Sequence, residues 1–325
     1  MKSFHNILVV IEHKQLRQPA LERALAIYNY AKLRQTKDNT DQIKITAVLA
    51  VNQEKLNLTS LLAVDKEEFE KAFIKKQENW LNAYLAINAM GINIEKRVIY
   101  SRDVGREIVA LAKEKCCDIL FKTSEIHGLL DTVIFTPLDW QMLRHSPVPV
   151  CIAKDHMWTP KGTIAVAVDL SDINDELSRL TNLRLLREAQ ALATFTGCKI
   201  VIINAITPIV PPVAVDLPGY TPDSVYDEAL KEGCKKALAF AMRHKIKPED
   251  CHISEGSLDS VIIDKCKELN PTALFIGTSA RRGIASALIG NICEKIADDL
   301  DCDVVVVTPK TVVRSVPTTT PSKSI

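Results

Sequence analysis

Residues 6–12, Asn-Ile-Leu-Val-Val-Ile-Glu, and residues 163–169, Thr-Ile-Ala-Val-Ala-Val-Asp, decide the fold. Each is a continuous apolar run ending in an acid, the pattern of a strand buried on both faces of a parallel sheet. A helical spacing follows each run: Leu21, Leu25, Tyr28 and Ala31 after the first, and Leu177, Leu180, Leu183, Leu186 and Ala189 after the second. Another apolar run comes next in both, at residues 43–51 and 199–206, so that strand, helix and strand complete a βαβ unit twice.

Outward from these runs the two halves stay in step. Ile119 to Ser124 aligns with Leu274 to Ser279, about 155 positions later, and Val148 to Lys154 aligns with Val304 to Lys310. Strands are expected near 6–12, 43–51, 93–100, 118–122 and 148–153, and again near 163–169, 199–206, 250–254, 273–277 and 303–308. The fold class is therefore α/β: two tandem Rossmann-like domains, each an open five-stranded parallel sheet with helices on both faces. The joint falls near Asp155 to Gly162, where Trp158-Thr159-Pro160-Lys161-Gly162 carries turn residues. The chain divides into domains at 1–155 and 156–310 and a Thr, Ser and Pro-rich tail at 311–325, which is expected to be disordered. The last strand of each half, Val-Pro-Val-Cys-Ile at 148–152 and Val-Val-Val-Val-Thr at 304–308, would offer a sticky apolar edge. Pairing or packing of those two edges removes the liability and makes the chain an intramolecular pseudo-dimer. Whether two chains associate further, as a homodimer, is left open.

A chain of 325 residues exceeds what one core usually serves, and its 47% hydrophobic and 25% charged composition is ordinary for a globular protein. Apolar runs such as Ile200 to Ile203 are strand-sized against the roughly 20 residues of a membrane span, so no membrane segment is expected. Met1-Lys2-Ser3-Phe4-His5-Asn6 runs straight into a strand with no signal-peptide pattern, which points to the cytoplasm. The nine cysteines have no framework spacing and read as buried thiols. A net charge of +1 gives no support to nucleic-acid binding. No Cys/His set has zinc spacing, Cys251 and His252 point to opposite faces if extended, and no metal site is read. The Gly-Lys-Ser/Thr P-loop, the Gly-x-Gly-x-x-Gly fingerprint and the nucleophile elbow are missing, against a kinase, a motor ATPase, a dehydrogenase or an efficient hydrolase. Slow ATP turnover stays open.

In such a sheet the ligand crevice lies beyond the carboxyl ends of the first and fourth strands. In the second half the first strand ends at Asp169, and the fourth runs into Gly277-Thr-Ser-Ala-Arg-Arg-Gly-Ile-Ala-Ser-Ala-Leu-Ile-Gly290-Asn291. Glycine admits a close phosphate, and the following helix start offers free N–H groups. Ser279 and Asn291 add donors. Arg281 and Arg282 suit either phosphate charge or plain solvated surface. Asp169 suits either a ribose or metal-bound water, or a cap on the next helix.

This segment resembles the nucleotide loop of the universal stress protein family: a glycine, two residues, a second glycine, nine residues, then glycine and serine or threonine. Gly277 and Gly290 fall on the first and third glycines, while Ala280 replaces the second and Asn291 the hydroxyl residue. The resemblance extends over roughly residues 4 to 310 and is to tandem members of the family, through Ile134-Phe-Thr-Pro-Leu-Asp-Trp140 and the stretch Pro208 to Tyr226. It implies a Rossmann-like stress-response protein, in a family some of whose members bind ATP. On matching positions it implies that Val168 and Asp169 meet the adenosine end, Ala205 the adenine, and Ile276, Gly277, Ser279, Gly290, Asn291 and Ile292 the ribose and phosphates. The Cβ of Ala280 strains the loop if that position needs a positive φ.

The first half departs further: Lys122 stands where Gly277 does, Glu125 where Ala280 does, and Phe135-Thr136-Pro137 replaces the last glycine region, with Glu12 in place of the aspartate. Thr136 and Pro137 make an N-cap and first helical residue, so a helix is expected with its end filled by bulk, Phe135 above all. Together these readings point to a non-catalytic sensor or adaptor whose C-terminal domain binds ATP, with Mg²⁺, or another adenine nucleotide. The alternative is an interaction protein that holds another small molecule or a partner in its crevice.

Overall fold

The computed structural model describes residues 4–13, 15, 17–33, 43–53, 66–124, 126–127, 132–133, 136–158, 160–172, 174–206, 222–278 and 295–308. The N-terminal half contributes β1 (Asn6–Ile11), β2 (Lys44–Asn52), β3 (Ile94–Ser101), β4 (Ile119–Thr123), a short pair β5 (Ile126–His127) and β6 (Thr132–Val133), and β7 (Val150–Ala153). The C-terminal half contributes β8 (Thr163–Ala167), β9 (Lys199–Ile206), β10 (Cys251–Glu255), β11 (Ala273–Gly277) and β12 (Asp303–Val307). Every main strand falls where the apolar runs predict it. The antiparallel β5 and β6 pair was not foreseen.

Ten strands form one sheet, in the order β10-β9-β8-β11-β12-β7-β4-β1-β2-β3. Within each half all pairings are parallel, and strand order reverses between β1 and β4 and between β8 and β11. The two half-sheets join by the antiparallel pairing of β7 with β12, Val304 against Ile152, Val305 against Cys151 and Val306 against Val150. The two expected edges thus bury each other.

Helices α1 (Pro19–Leu33), α2 (Lys66–Asn88), α5 (Glu176–Thr196) and α6 (Pro222–Arg243) supply side chains to the core on one face. Helices α3 (Val104–Glu114), α4 (Pro137–His145), α7 (Leu258–Leu269) and the helical segment 295–299 supply the other. No helix among the described residues is long and apolar enough to cross a membrane. The described cysteines are free thiols; five are buried, whereas Cys116 is exposed and Cys234 and Cys251 half-buried, because they lie at a helix end and on the edge layer.

The leucine spacing identified α5 but not its buried face. Leu180 and Leu183 are 43% and 37% exposed, while Ser178, Thr181, Asn182, Leu185 and Ala189 are buried. Its first two turns face the crevice and carry small polar groups there, a pattern that an apolar count passes over.

A pseudo-twofold set of bonds bolts the halves together. Arg23 of α1 bonds the Lys154 carbonyl in its own half, the His156 carbonyl in the joint and the Asp303 carboxylate in the other half. Arg184 of α5 mirrors it, bonding the Thr308 carbonyl in its own half and the Pro147 carbonyl across the junction. Thr308 Oγ1 donates to the Leu143 carbonyl at the end of α4, and Lys154 Nζ donates to the carbonyls of Leu300 and Ala297. Asp303 is wholly buried yet receives Arg23 Nε at 2.7 Å, the Lys154 N–H at 2.9 Å, Trp158 Nε1 at 2.7 Å and lies 2.9 Å from His156 Nε2. Burial alone pushes its carboxyl up, but the His156 bond and the Arg23 charge outweigh that and hold it below the usual aspartate value.

Replacing Arg23 with Met strands this carboxylate and is expected to cost about 3–5 kcal/mol in chemical denaturation. A depressed folded pKa contributes stability that is full above the unfolded aspartate value, about 4, and is lost as pH falls. Acid titration of the wild type should therefore show a loss of stability below that pH that Asp303→Asn lacks; equal acid profiles would exclude the bolt as its source.

Candidate functional site

At the carboxyl ends of β8 and β11 the structure brings together Val168, Asp169, Ile276 and Gly277, with Ser178, Thr181 and Asn182 of α5 and Leu258 and Ile262 of α7, around a cleft of about 60 Å³. That volume matches about two waters, so the enclosed part admits a small group, and a larger ligand has to lie across its mouth. Of the residues the resemblance implies, Val168 and Ile276 are buried, and Ala205 is half-buried outside the cleft wall. Ser279, Gly290, Asn291 and Ile292 lie outside the described residues, as do Ala280, Arg281, Arg282 and Phe135.

A carboxamide fixes the end of the first strand in both halves. Asn182 accepts from the Asp169 N–H at 3.1 Å and donates to the Asp169 carbonyl at 2.7 Å. Gln18 does the same for Glu12, at 3.1 and 2.5 Å. Both side chains, one within α5 and one just before α1, close a two-point bridge to the backbone of the acid, so each acid is held at its mouth by main-chain contacts. The Asp169 carboxylate binds Ser171, accepting from its N–H at 3.1 Å and its hydroxyl at 2.6 Å. It does not cap the next helix: Asp175 does, accepting from the N–H groups of Leu177 and Ser178. Sequence reading missed Asn182 and Gln18, whose only signal is a carboxamide at a position that packs inward.

Gly277 serves packing as well as access. A Cβ built there would lie 2.6 Å from Thr181 Cγ2, so α5 sits closer to β11 than any side chain at 277 permits. Beyond the cleft, Lys295 at the start of the described 295–299 helix bonds Asp259 of α7 at 2.6 Å, and this contact, with a bond from Ser257, brings the Asp259 carboxyl down to about 2.

The N-terminal mouth is filled by charge. Lys122 stands at the position of Gly277, is wholly buried, and places Nζ 3.1 Å from Glu12 Oε1 and 3.1 Å from Asp139 Oδ1, contacts of charge rather than aligned hydrogen bonds. Nζ also donates to the Thr123 carbonyl at 3.2 Å. Thr136 is the N-cap and Pro137 the first residue of α4, as the sequence predicts, and a full capping box takes the N–H groups of Thr136 and Asp139. Asp139 Oδ2 accepts from the Thr136 N–H at 2.8 Å, which puts this chain's own carboxylate at the helix start where an external anion would otherwise sit. The helix start of α1 is closed too, the Ala20 N–H donating to Thr123 Oγ1 at 3.1 Å. A lysine inside the apolar strand Ile-Leu-Phe-Lys-Thr was the available signal, since a buried cation demands a partner.

The universal stress protein family model matches residues 3–154 and 162–308, once for each half. The chain belongs to the universal stress protein family. It is 33% identical over 318 residues to universal stress protein E of Photorhabdus laumondii, covering 95% of this chain and 96% of that one. It is 31% identical over 319 residues to universal stress protein E of Escherichia coli K12, covering 95% of each. A functionally unknown protein from Pseudomonas aeruginosa PAO1 has the same fold, with a TM-score of 0.70 at 23% identity over 96% of this chain and 95% of that one. A universal stress protein from Archaeoglobus fulgidus shares it at a TM-score of 0.60 and 18% identity, over 94% and 96% of the two chains. Both matches of the family model, and the likeness to tandem proteins over nearly their whole length, make this a two-domain stress-response protein.

Two substitutions test the contrast between the mouths. Gly277→Ala should cost about 1–3 kcal/mol by overpacking against α5, and Thr181→Ser, which removes Cγ2 but keeps the hydroxyl that bonds Leu177, should recover most of it in a double-mutant cycle. Lys122→Met should cost about 3–5 kcal/mol by leaving the Asp139 carboxylate buried without its cation, with partial recovery on adding Asp139→Asn.

Proposed function

We propose that the C-terminal half binds an adenine nucleotide, ATP with Mg²⁺ or a close relative, and that the protein acts as a non-catalytic cytoplasmic stress sensor or adaptor with the N-terminal half as scaffold. The observation that carries this reading is the asymmetry of the two mouths. Where the first repeat has Lys122, Glu12 and Asp139 in mutual contact, the second has Gly277, Asp169 and the small polar face of Ser178, Thr181 and Asn182. An internal ammonium and carboxylate occupy one mouth; the other keeps a glycine at the strand end, which lets a phosphate approach the backbone, beside a helix face whose polar groups are satisfied within the chain. Val168, Asp169, Ala205, Ile276, Gly277, Ser279, Gly290, Asn291 and Ile292 are the residues proposed to hold the nucleotide.

Asp169 is the one carboxylate among the described cleft residues, and it is engaged by Ser171. A second carboxylate to orient water or complete a metal site is not among them, which supports binding without efficient hydrolysis. Thermal melting with and without MgATP is the direct test. Saturation at about 100 times Kd adds roughly 2.7 kcal/mol to the native state. Gly290→Val should abolish the shift, and Lys122→Met should not create a second site. Absence of a shift at millimolar MgATP would favour an interaction protein whose crevice holds another small molecule or a partner.

A further inference from the structure

We infer that Asn204 reads the base of the bound nucleotide and makes the C-terminal site selective for adenine; this rests on the nucleotide reading above. Asn204 is 3% exposed, and among the described residues its buried Oδ1 has no hydrogen-bond partner. A buried carboxamide oxygen left unsatisfied carries a desolvation penalty, so a retained one calls for a partner. The repeat gives the comparison within one molecule. Asn204 pairs in register with Ile253 of β10, and its counterpart Leu49 pairs with Val98 of β3, in the same place of the other half-sheet. Leu49 is an ordinary core residue, 1% exposed. One half therefore fills this position with a hydrocarbon, and the other, the half with the open mouth, fills it with a carboxamide.

Asn204 is not itself in the cleft wall but lies one strand over from it, in line with Val168. Alternation along β9 puts Asn204 on the face of Ile202, toward α5 and α6, while Val201 and Ile203 face the other layer. The Val168 N–H donates to the Ile203 carbonyl at 3.0 Å, which sets Val168, a wall of the cleft, beside Asn204 on the adjacent strand. From Asn204 on β9 to Gly277 on β11 is two strand spacings across β8, about 10 Å, the separation over which a nucleotide carries its base away from its phosphates. A carboxamide presents one acceptor beside two N–H donors, the complement of the adenine edge with its amino group and ring nitrogen; guanine offers a carbonyl where adenine has the amino group.

The test compares full-length wild type with Asn204→Leu, the residue the first repeat already carries there, by melting and by titration with MgATP and MgGTP. Without ligand the variant should melt at or above the wild type, because an unsatisfied acceptor is gone. Its affinity for MgATP should fall on the order of 10- to 100-fold while that for MgGTP stays unchanged, erasing a preference that the wild type shows. If Asn204→Leu binds MgATP as tightly as the wild type, or the wild type does not distinguish the two, base reading is overturned and the carboxamide holds only water, with nucleotide binding intact. If the wild type binds neither, the nucleotide reading itself falls and the base assignment with it.

Discussion

Two apolar strands that would each end a sheet, Val150–Ala153 and Asp303–Val307, are buried because they pair with one another. An exposed valine edge is a template for aggregation, and closing one half's edge with the other's is the internal solution available to a tandem repeat. The remaining contacts follow from that closure. Once β7 and β12 run antiparallel, the ends of each strand meet the first helix and the last carbonyls of the opposite half, so Arg23 and Arg184 occupy matched places. Matched geometry does not mean matched chemistry: across the junction Arg23 finds the Asp303 carboxylate and Arg184 a carbonyl, while the carboxylate near Arg184, that of Glu188, lies on its own helix at 3.9 Å.

The same divergence within a common frame appears at the mouths. Gln18 and Asn182 hold the ends of the first strands in the same way, so the backbone scaffold of a crevice persists in both halves. What changed is the content. In the first half an ammonium lies between two carboxylates and a capping box takes the N–H groups of Thr136 and Asp139, so the start of α4 is capped from within. Removing the lysine alone leaves the Asp139 carboxylate buried without its cation, so opening such a site needs a change at Asp139 as well. The cost of the intermediate step stabilises the closed state of that half, whatever the second half binds.

The sheet was legible in the sequence because a strand buried on both faces has to be apolar throughout, and the runs at 6–12 and 163–169 admit no other reading at that length. Thr136 and Pro137 were legible as a helix start because cap chemistry is local. The buried face of α5 was not, because its inner residues near the crevice are Ser178, Thr181 and Asn182, chosen for hydrogen bonds to Asp175, Leu177 and Asp169 rather than for hydrophobicity. Lys122 as an internal counterion was hidden for a related reason: its partners Glu12 and Asp139 are distant in sequence, and only the parallel order of β1 and β4 and the placement of α4 bring the three together. Gly277 was read as a place where a phosphate comes close to the backbone; what the fold shows there is the close packing of Thr181 of α5.

Polar groups at inward positions thus sort into two kinds. Asp303, Lys122, Asn182 and Gln18 are satisfied by the chain itself, and each fixes a piece of the fold: the junction, the closed mouth, or a strand end. Asn204 belongs to neither a junction nor a cap, and its repeat counterpart is hydrocarbon. Stability alone favours leucine at that place, as the first half demonstrates, so a carboxamide there is a cost borne by the half whose mouth kept its glycine. Because β12 of that half pairs both with β11, which ends at Gly277, and with β7 of the other half, a ligand that satisfied Asn204 and bridged to Gly277 would stabilise the element on which the shared sheet depends.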